Sequence, residues 1–136
     1  MTADRSGIAT FRPAAPEGPR AGSINTNGSS LGDVFTYNPR TGAHTSQFSD
    51  GQTHFGEFRG AWSANWQVYP ADFNGDGISD FFLYNVTTGE WYKAINNGSG
   101  DFTYYFGQWS AGWQVFIVEL NGDHHSDVFL STATTG

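Results

Sequence analysis

SDFFLYNVTTG (residues 79–89) repeats GDVFTYNPRTG (residues 32–42) at an interval of 47 positions. Asp33, Asp80 and Asp127 keep the same interval. Sliding residues 33–79 onto 80–126 also places GAWSANWQV (60–68) on GQWSAGWQV (107–115) and NGDG (74–77) on NGDH (121–124), with 19 of the 47 positions identical. A third copy opens as SDVFLSTATTG (126–136). The chain therefore reads as two full repeats, 33–79 and 80–126, and the start of another, 127–136.

Within each repeat, glycine, asparagine and proline punctuate four short apolar or aromatic runs. In the first repeat these are VFTYN, GAHTSQF, THFGEF and WQVYPADF; in the second they are FFLYN, GEWYKAI, DFTYYFG and WQVFIVEL. No apolar period near 3.6 competes with them, so each run predicts a strand. Four strands per unit of about 40–50 residues predict an all-β fold of β-propeller-type blades. A closed propeller needs about four to eight blades, and this chain supplies two and a fragment. The expectation is an incomplete ring closed by homo-oligomerisation, head to tail, with a trimer first. In that arrangement Asp127–Leu130 would finish a blade begun by another subunit. A fragment of a longer protein is the other way to account for the missing blades. Residues 1–22, with Pro13, Pro16, Pro19, Arg5, Arg12 and Arg20, read as an extended arm, either a tail or a strap onto a neighbour.

Composition narrows the partners. The 136 residues are 14% charged and 17% aromatic and include 18 glycines, a profile suited to many tight turns between strands. A net charge of −7 without a basic stripe argues against nucleic acid. The absence of cysteine removes disulfides and thiolate metal sites. No run of about 18 apolar residues predicts membrane insertion, and the N-terminus lacks the apolar stretch of a signal peptide.

DFNGDGISD, from Asp72 to Asp80, crowds Asp72, Asn74, Asp76 and Asp80 into nine residues. Like charges so close repel unless a cation lies among them. The spacing resembles the opening of a D-x-[DN]-x-[DN]-G calcium loop, in which alternate side chains and one carbonyl ligate Ca²⁺. A complete EF-hand would place Glu at Leu83, so that reading fails. The bland alternative is an Asx-rich turn without metal.

The run Asp72 to Leu83, together with Phe106-Gly107, resembles the FG-GAP/VCBS repeat of integrin-like propellers over about residues 25–136. The resemblance implies a propeller fold, Ca²⁺ held between neighbouring strands of a blade, and roles in adhesion, ligand binding or attachment to enzymes. Carried onto this chain, the ligands would be the side chains of Asp72, Asn74, Asp76 and Asp80 and the Ile78 carbonyl. The second copy would offer Glu119, Asn121, Asp123 and Asp127 with the His125 carbonyl. There His124 replaces a glycine and makes the curl harder, so metal and no metal both stand. The first copy, NTNGSSLGD, keeps only Asp33 and reads as an ordinary turn. His124 and His125 are adjacent and point apart, which disfavours a shared transition metal. His44 and His54 lie on separate strands with no catalytic partner pattern.

The tryptophans divide. Trp62 and Trp109, and Trp66 and Trp113, are repeat-equivalent, which suggests filler between blades. Trp66 and Trp113 are expected to be buried. Trp91 has His44 at its matching position in the other repeat and is expected to be more exposed. Trp91, Tyr92, Tyr37 and Tyr84 are the candidate platforms for a sugar. No glycosidase-type acid pair, nucleophile elbow or phosphate loop is present, so no catalytic residue is assigned. Three functions remain: a calcium-stabilised recognition module for glycan or protein, a ring-forming assembly protein, or a non-catalytic accessory part of a larger secreted enzyme. Calcium loops suit an extracellular setting or a cell or particle surface, although no export signal is visible.

Overall fold

A computed structural model describes residues 24–49, 52 and 55–132. The 1–22 arm and His54 lie outside the described residues. The described chain is all-β, with nine strands and no helix. The strands are β1 (Val34–Tyr37), β2 (Ala43–Ser49), β3 (Phe55–Ala61), β4 (Gln67–Ala71), β5 (Asp80–Tyr84), β6 (Glu90–Asn96), β7 (Phe102–Gln108), β8 (Gln114–Val118) and β9 (Asp127–Ser131). Each expected strand is present. They form three antiparallel sheets, β1-β2-β3, β4-β5-β6-β7 and β8-β9, none of them closed.

The sheets are framed one strand out of step with the sequence repeat. The last strand of one repeat is the first of the next sheet: β4 pairs with β5 (Ala71 opposite Asp80) and β8 with β9 (Val118 opposite Asp127). A single bridge between Ile24 and Asp33 keeps that register in the first copy. β9 pairs with β8 of its own chain, because the second acidic loop folds back as the connection of a hairpin, as the first does.

Period-two alternation decides the packing. All five residues of β5 are buried, since each of its faces meets another sheet. Phe81 and Leu83 join Ile24, Phe35, Tyr37, Trp66 and Ala94 on one side. Phe82 and Tyr84 join Val115 on the other, with Trp91, Trp109, Val128 and Leu130 around them. The rings of Phe35 and Phe81 stack with centroids 4.1 Å apart. Burying a side chain of this size contributes about 1.5–3 kcal/mol.

The loop between β3 and β4 carries the chain from one sheet to the next, and repeat-equivalent contacts hold it. Trp62 N donates to Gly42 O, and Trp109 N to Gly89 O. The Tyr37 hydroxyl donates to Ser63 O at 2.7 Å and accepts from Trp66 N at 3.2 Å. The Tyr84 hydroxyl does the same for Ser110 O and Trp113 N, at 2.9 and 3.2 Å. Sequence identity at Trp-Ser-Ala-x-Trp thus reappears as identity of hydrogen bonding.

Candidate functional site: acidic loops and an aromatic cleft

The loop between β4 and β5 curls around its own carboxylates. Asp72 accepts from Gly75 N (Oδ1, 2.8 Å) and Gly77 N (Oδ2, 2.9 Å). Asn74 Oδ1 accepts from Asp76 N at 3.2 Å, and Asp76 Oδ1 from Ile78 N at 2.8 Å. Gly75 and Gly77 have φ of 77° and 81°, the left-handed region that lets the chain turn this tightly.

Asp80 stands apart from the other four predicted ligands. It is fully buried, and its oxygens accept from Phe73 N (2.8 Å) and Asn96 N (2.9 Å). Burial raises its carboxyl above the ordinary range; the two backbone N–H groups act against that, while the charges of Asp76 and Asp72 add to it. Asp72, Asn74 and Asp76 therefore lie on the solvent side of the curl, and Asp80 ties the curl to β6.

The other copies adopt the same curl. Glu119 takes the place of Asp72, accepting from Gly122 N and Asn121 N through Oε1 and from His124 N through Oε2. The bonds from Gly122 and His124 are the main reason its carboxyl is held below the usual range. Asn121 Oδ1 accepts from Asp123 N, Asp123 Oδ1 from His125 N, and Asp127 Oδ2 from Leu120 N. His124 bends with φ 65°, so the turn forms despite the missing glycine and carries the strain of a side chain in that region. In the first copy Asn25 Oδ1 accepts from Gly28 N, and Asp33 Oδ2 from Thr26 N.

Among the described residues, no three His, Asp or Glu side chains converge as a metal-binding group. The chemistry of the central donor set nevertheless suits a hard cation: every candidate atom is oxygen, and two neighbouring carboxylates destabilise the charge on a third.

Two serines missed in the sequence join the loops. Asn25 N donates to Ser79 Oγ (2.9 Å) while Ser79 N donates to Asn25 O (2.6 Å). Asp72 N donates to Ser126 Oγ (2.9 Å) while Ser126 N donates to Asp72 O (2.7 Å). The signal was available, because Ser79 and Ser126 are identical under the 47-residue shift.

The four candidate sugar platforms fare differently. Tyr37 and Tyr84 are 5% and 0% exposed, so neither offers an open ring face; both are struts for the loop that follows β3 or β7. Trp91, expected to be more exposed than Trp66 and Trp113, is half-buried between Phe82 and Trp109, at centroid distances of 5.8 and 5.2 Å. Gly107 opposite it makes the space, since a Cβ there would lie 2.5 Å from the Trp91 ring. Trp66 is buried as expected, whereas Trp113 is only half-buried.

Tyr92 borders a cleft. With Trp62, Ser63, Trp66, Leu83 and Tyr104 it lines a space of about 180 Å³ between the β3–β4 loop and the face of β5-β6-β7. Trp66 meets Tyr92 edge-on at 5.4 Å, and Trp62 Nε1 donates to the Tyr104 hydroxyl at 2.8 Å. Sequence reading assigned Trp62 and Trp66 to packing and passed over Tyr104.

Comparison with family models, curated proteins and solved structures finds no match for this chain.

Proposed function

We propose that this chain is a non-catalytic recognition module of β-propeller type, of the FG-GAP/VCBS kind, whose central acidic loop is stabilised by Ca²⁺. The observation that carries this reading is the curl at Asp72–Asp80, built from oxygen donors whose charges oppose one another. Asp72, Asn74 and Asp76, with the Ile78 carbonyl, would hold the ion, and Asp80 would complete the set from beneath. The bound ion would supply the positive charge that offsets carboxylate repulsion. The Glu119 loop, with Asn121, Asp123, the His125 carbonyl and Asp127, is the second candidate.

Calcium that binds only the folded chain raises stability by about 2.7 kcal/mol at a hundredfold excess over Kd. The melting temperature should therefore rise in calcium relative to EDTA, and Asp76→Ala should abolish most of that rise while changing little in EDTA. Identical wild-type melting curves in the two buffers would refute the calcium reading.

A second reading, assembly into a head-to-tail ring, is favoured by the faces at the two ends of the row of sheets. Val34 occupies the position of buried Phe81 and is 57% exposed; Phe129 occupies the position of buried Phe82 and is 50% exposed. The Phe129 face of one copy meeting the Val34 face of the next would continue the packing already made by Phe35 on Phe81. Such a contact is heterologous and closes only as a ring, with a trimer the first expectation. Light scattering at micromolar concentration should give about three times the 14.8 kDa chain mass, and Phe129→Asp should reduce it. A folded wild-type monomer would reject the ring.

A further inference from the structure

We infer that the cleft bordered by Trp62, Ser63, Trp66, Leu83, Tyr92 and Tyr104 binds one ring of a neutral sugar. The inference rests on the recognition reading and gives it a ligand class.

Four aromatic side chains surround the space, and none of its lining residues is charged. In a chain of net charge −7 an anionic ligand gains nothing there, and a cation finds no carboxylate. The size, about 180 Å³, suits a single six-membered ring rather than an extended ligand.

Polar groups at the mouth separate a sugar from a purely apolar guest. The Tyr104 hydroxyl accepts from Trp62 Nε1 (2.8 Å), and Ser63 Oγ accepts from Trp66 Nε1 (3.1 Å). Each hydroxyl has an acceptor site filled, and neither spends its own proton on a partner among the described residues. Two donors thus remain at an aromatic rim where Tyr104 is 44% exposed and Ser63 is also exposed. A pyranose offers the matching pair of surfaces: an apolar C–H face for the rings and hydroxyl oxygens to accept from Tyr104 and Ser63. An apolar ligand would leave both donors facing it unpaired.

The contacts that shape the cleft also hold it ready. The Tyr37 hydroxyl fixes the loop through Ser63 O and Trp66 N, so the two indoles are placed before any ligand arrives.

The test is an array of neutral and acidic glycans probed with the full chain, followed by titration of the tryptophan fluorescence with the methyl glycoside of any neutral terminal sugar that binds. The expected result is saturable binding of a neutral glycan. Tyr104→Phe and Ser63→Ala should each weaken it about 3- to 10-fold, the cost of one lost hydrogen bond to the ligand, in variants that still melt cooperatively and at a somewhat lower temperature, since each hydroxyl also accepts an indole N–H. Absence of binding to every neutral glycan, preference for acidic glycans, or indifference of binding to both substitutions would each overturn the inference. The calcium melting experiment reads the other proposal separately. A calcium shift without glycan binding removes only the sugar site, and glycan binding without a calcium shift removes only the metal.

Discussion

Replacing Asp80 with alanine should lower the unfolding free energy by about 3–5 kcal/mol, in EDTA as well as in calcium. The carboxylate is fully buried and is the acceptor for the backbone N–H groups of Phe73 and Asn96. Removing it strands two donors away from water, each costing about 1–3 kcal/mol. Asp76, exposed on the curl, accepts only within the loop, from Ile78 N and from the Asn74 amide. The two aspartates thus separate the roles of the motif: Asp80→Ala acts on the fold in either buffer, Asp76→Ala through the cation. Urea titration of both variants with and without EDTA measures the difference. An Asp80→Ala loss confined to calcium buffer would show that the staple contributes little by itself.

Gly89→Ala should be about as damaging, at about 3–6 kcal/mol, from backbone strain plus overpacking. Gly89 has φ 85°, and a Cβ there would lie 2.0 Å from Trp109 O. That carbonyl cannot easily retreat, because Trp109 N is bonded to Gly89 O at 2.9 Å in the same contact. Gly112 is the control. Its φ is 88°, yet no atom lies within 4 Å of the added Cβ. Gly112→Ala should cost only about 1–2 kcal/mol, the price of the left-handed conformation alone. Equal losses for the two variants in urea titrations would mean that strain, not the Trp109 carbonyl, sets the penalty.

The strands were legible because alternation and turn residues are local. VFTYN, GEWYKAI and WQVFIVEL each fall where β1, β6 and β8 form. The pairing of β4 with β5 was not legible, since either neighbour in sequence can be the antiparallel partner. The choice is made by contacts distant in sequence: Tyr37 and Gly42 capture the Trp62–Trp66 loop and turn the chain to the next sheet, while the longer acidic loop curls into a hairpin. Tyr37 and Tyr84 looked like platforms because a phenol suits both a sugar and a strut. Only the carbonyls of Ser63 and Ser110, 26 residues away, decide between them. The packing of Trp91 was not legible either, because the space that admits it comes from Gly107, on the neighbouring strand. The acidic curl itself was readable almost residue by residue, except that Asp80 turns inward where the motif alone placed it beside the others.

The paired bonds from Asn25 to Ser79 and from Asp72 to Ser126 couple elements that belong to different sheets. Local opening in such a chain is not independent from one loop to the next. Releasing the curl at 119–127 frees Ser126 and with it the backbone of Asp72, so a disturbance passes to a loop 47 residues earlier without crossing the hydrophobic core. Stability is then distributed as in a zip fastener, in which each closed tooth protects the one beside it. Amide exchange should follow position in that row: Ser79, bonded to the loop before it while Asp72 is bonded to the one after, sits in the segment held from both sides.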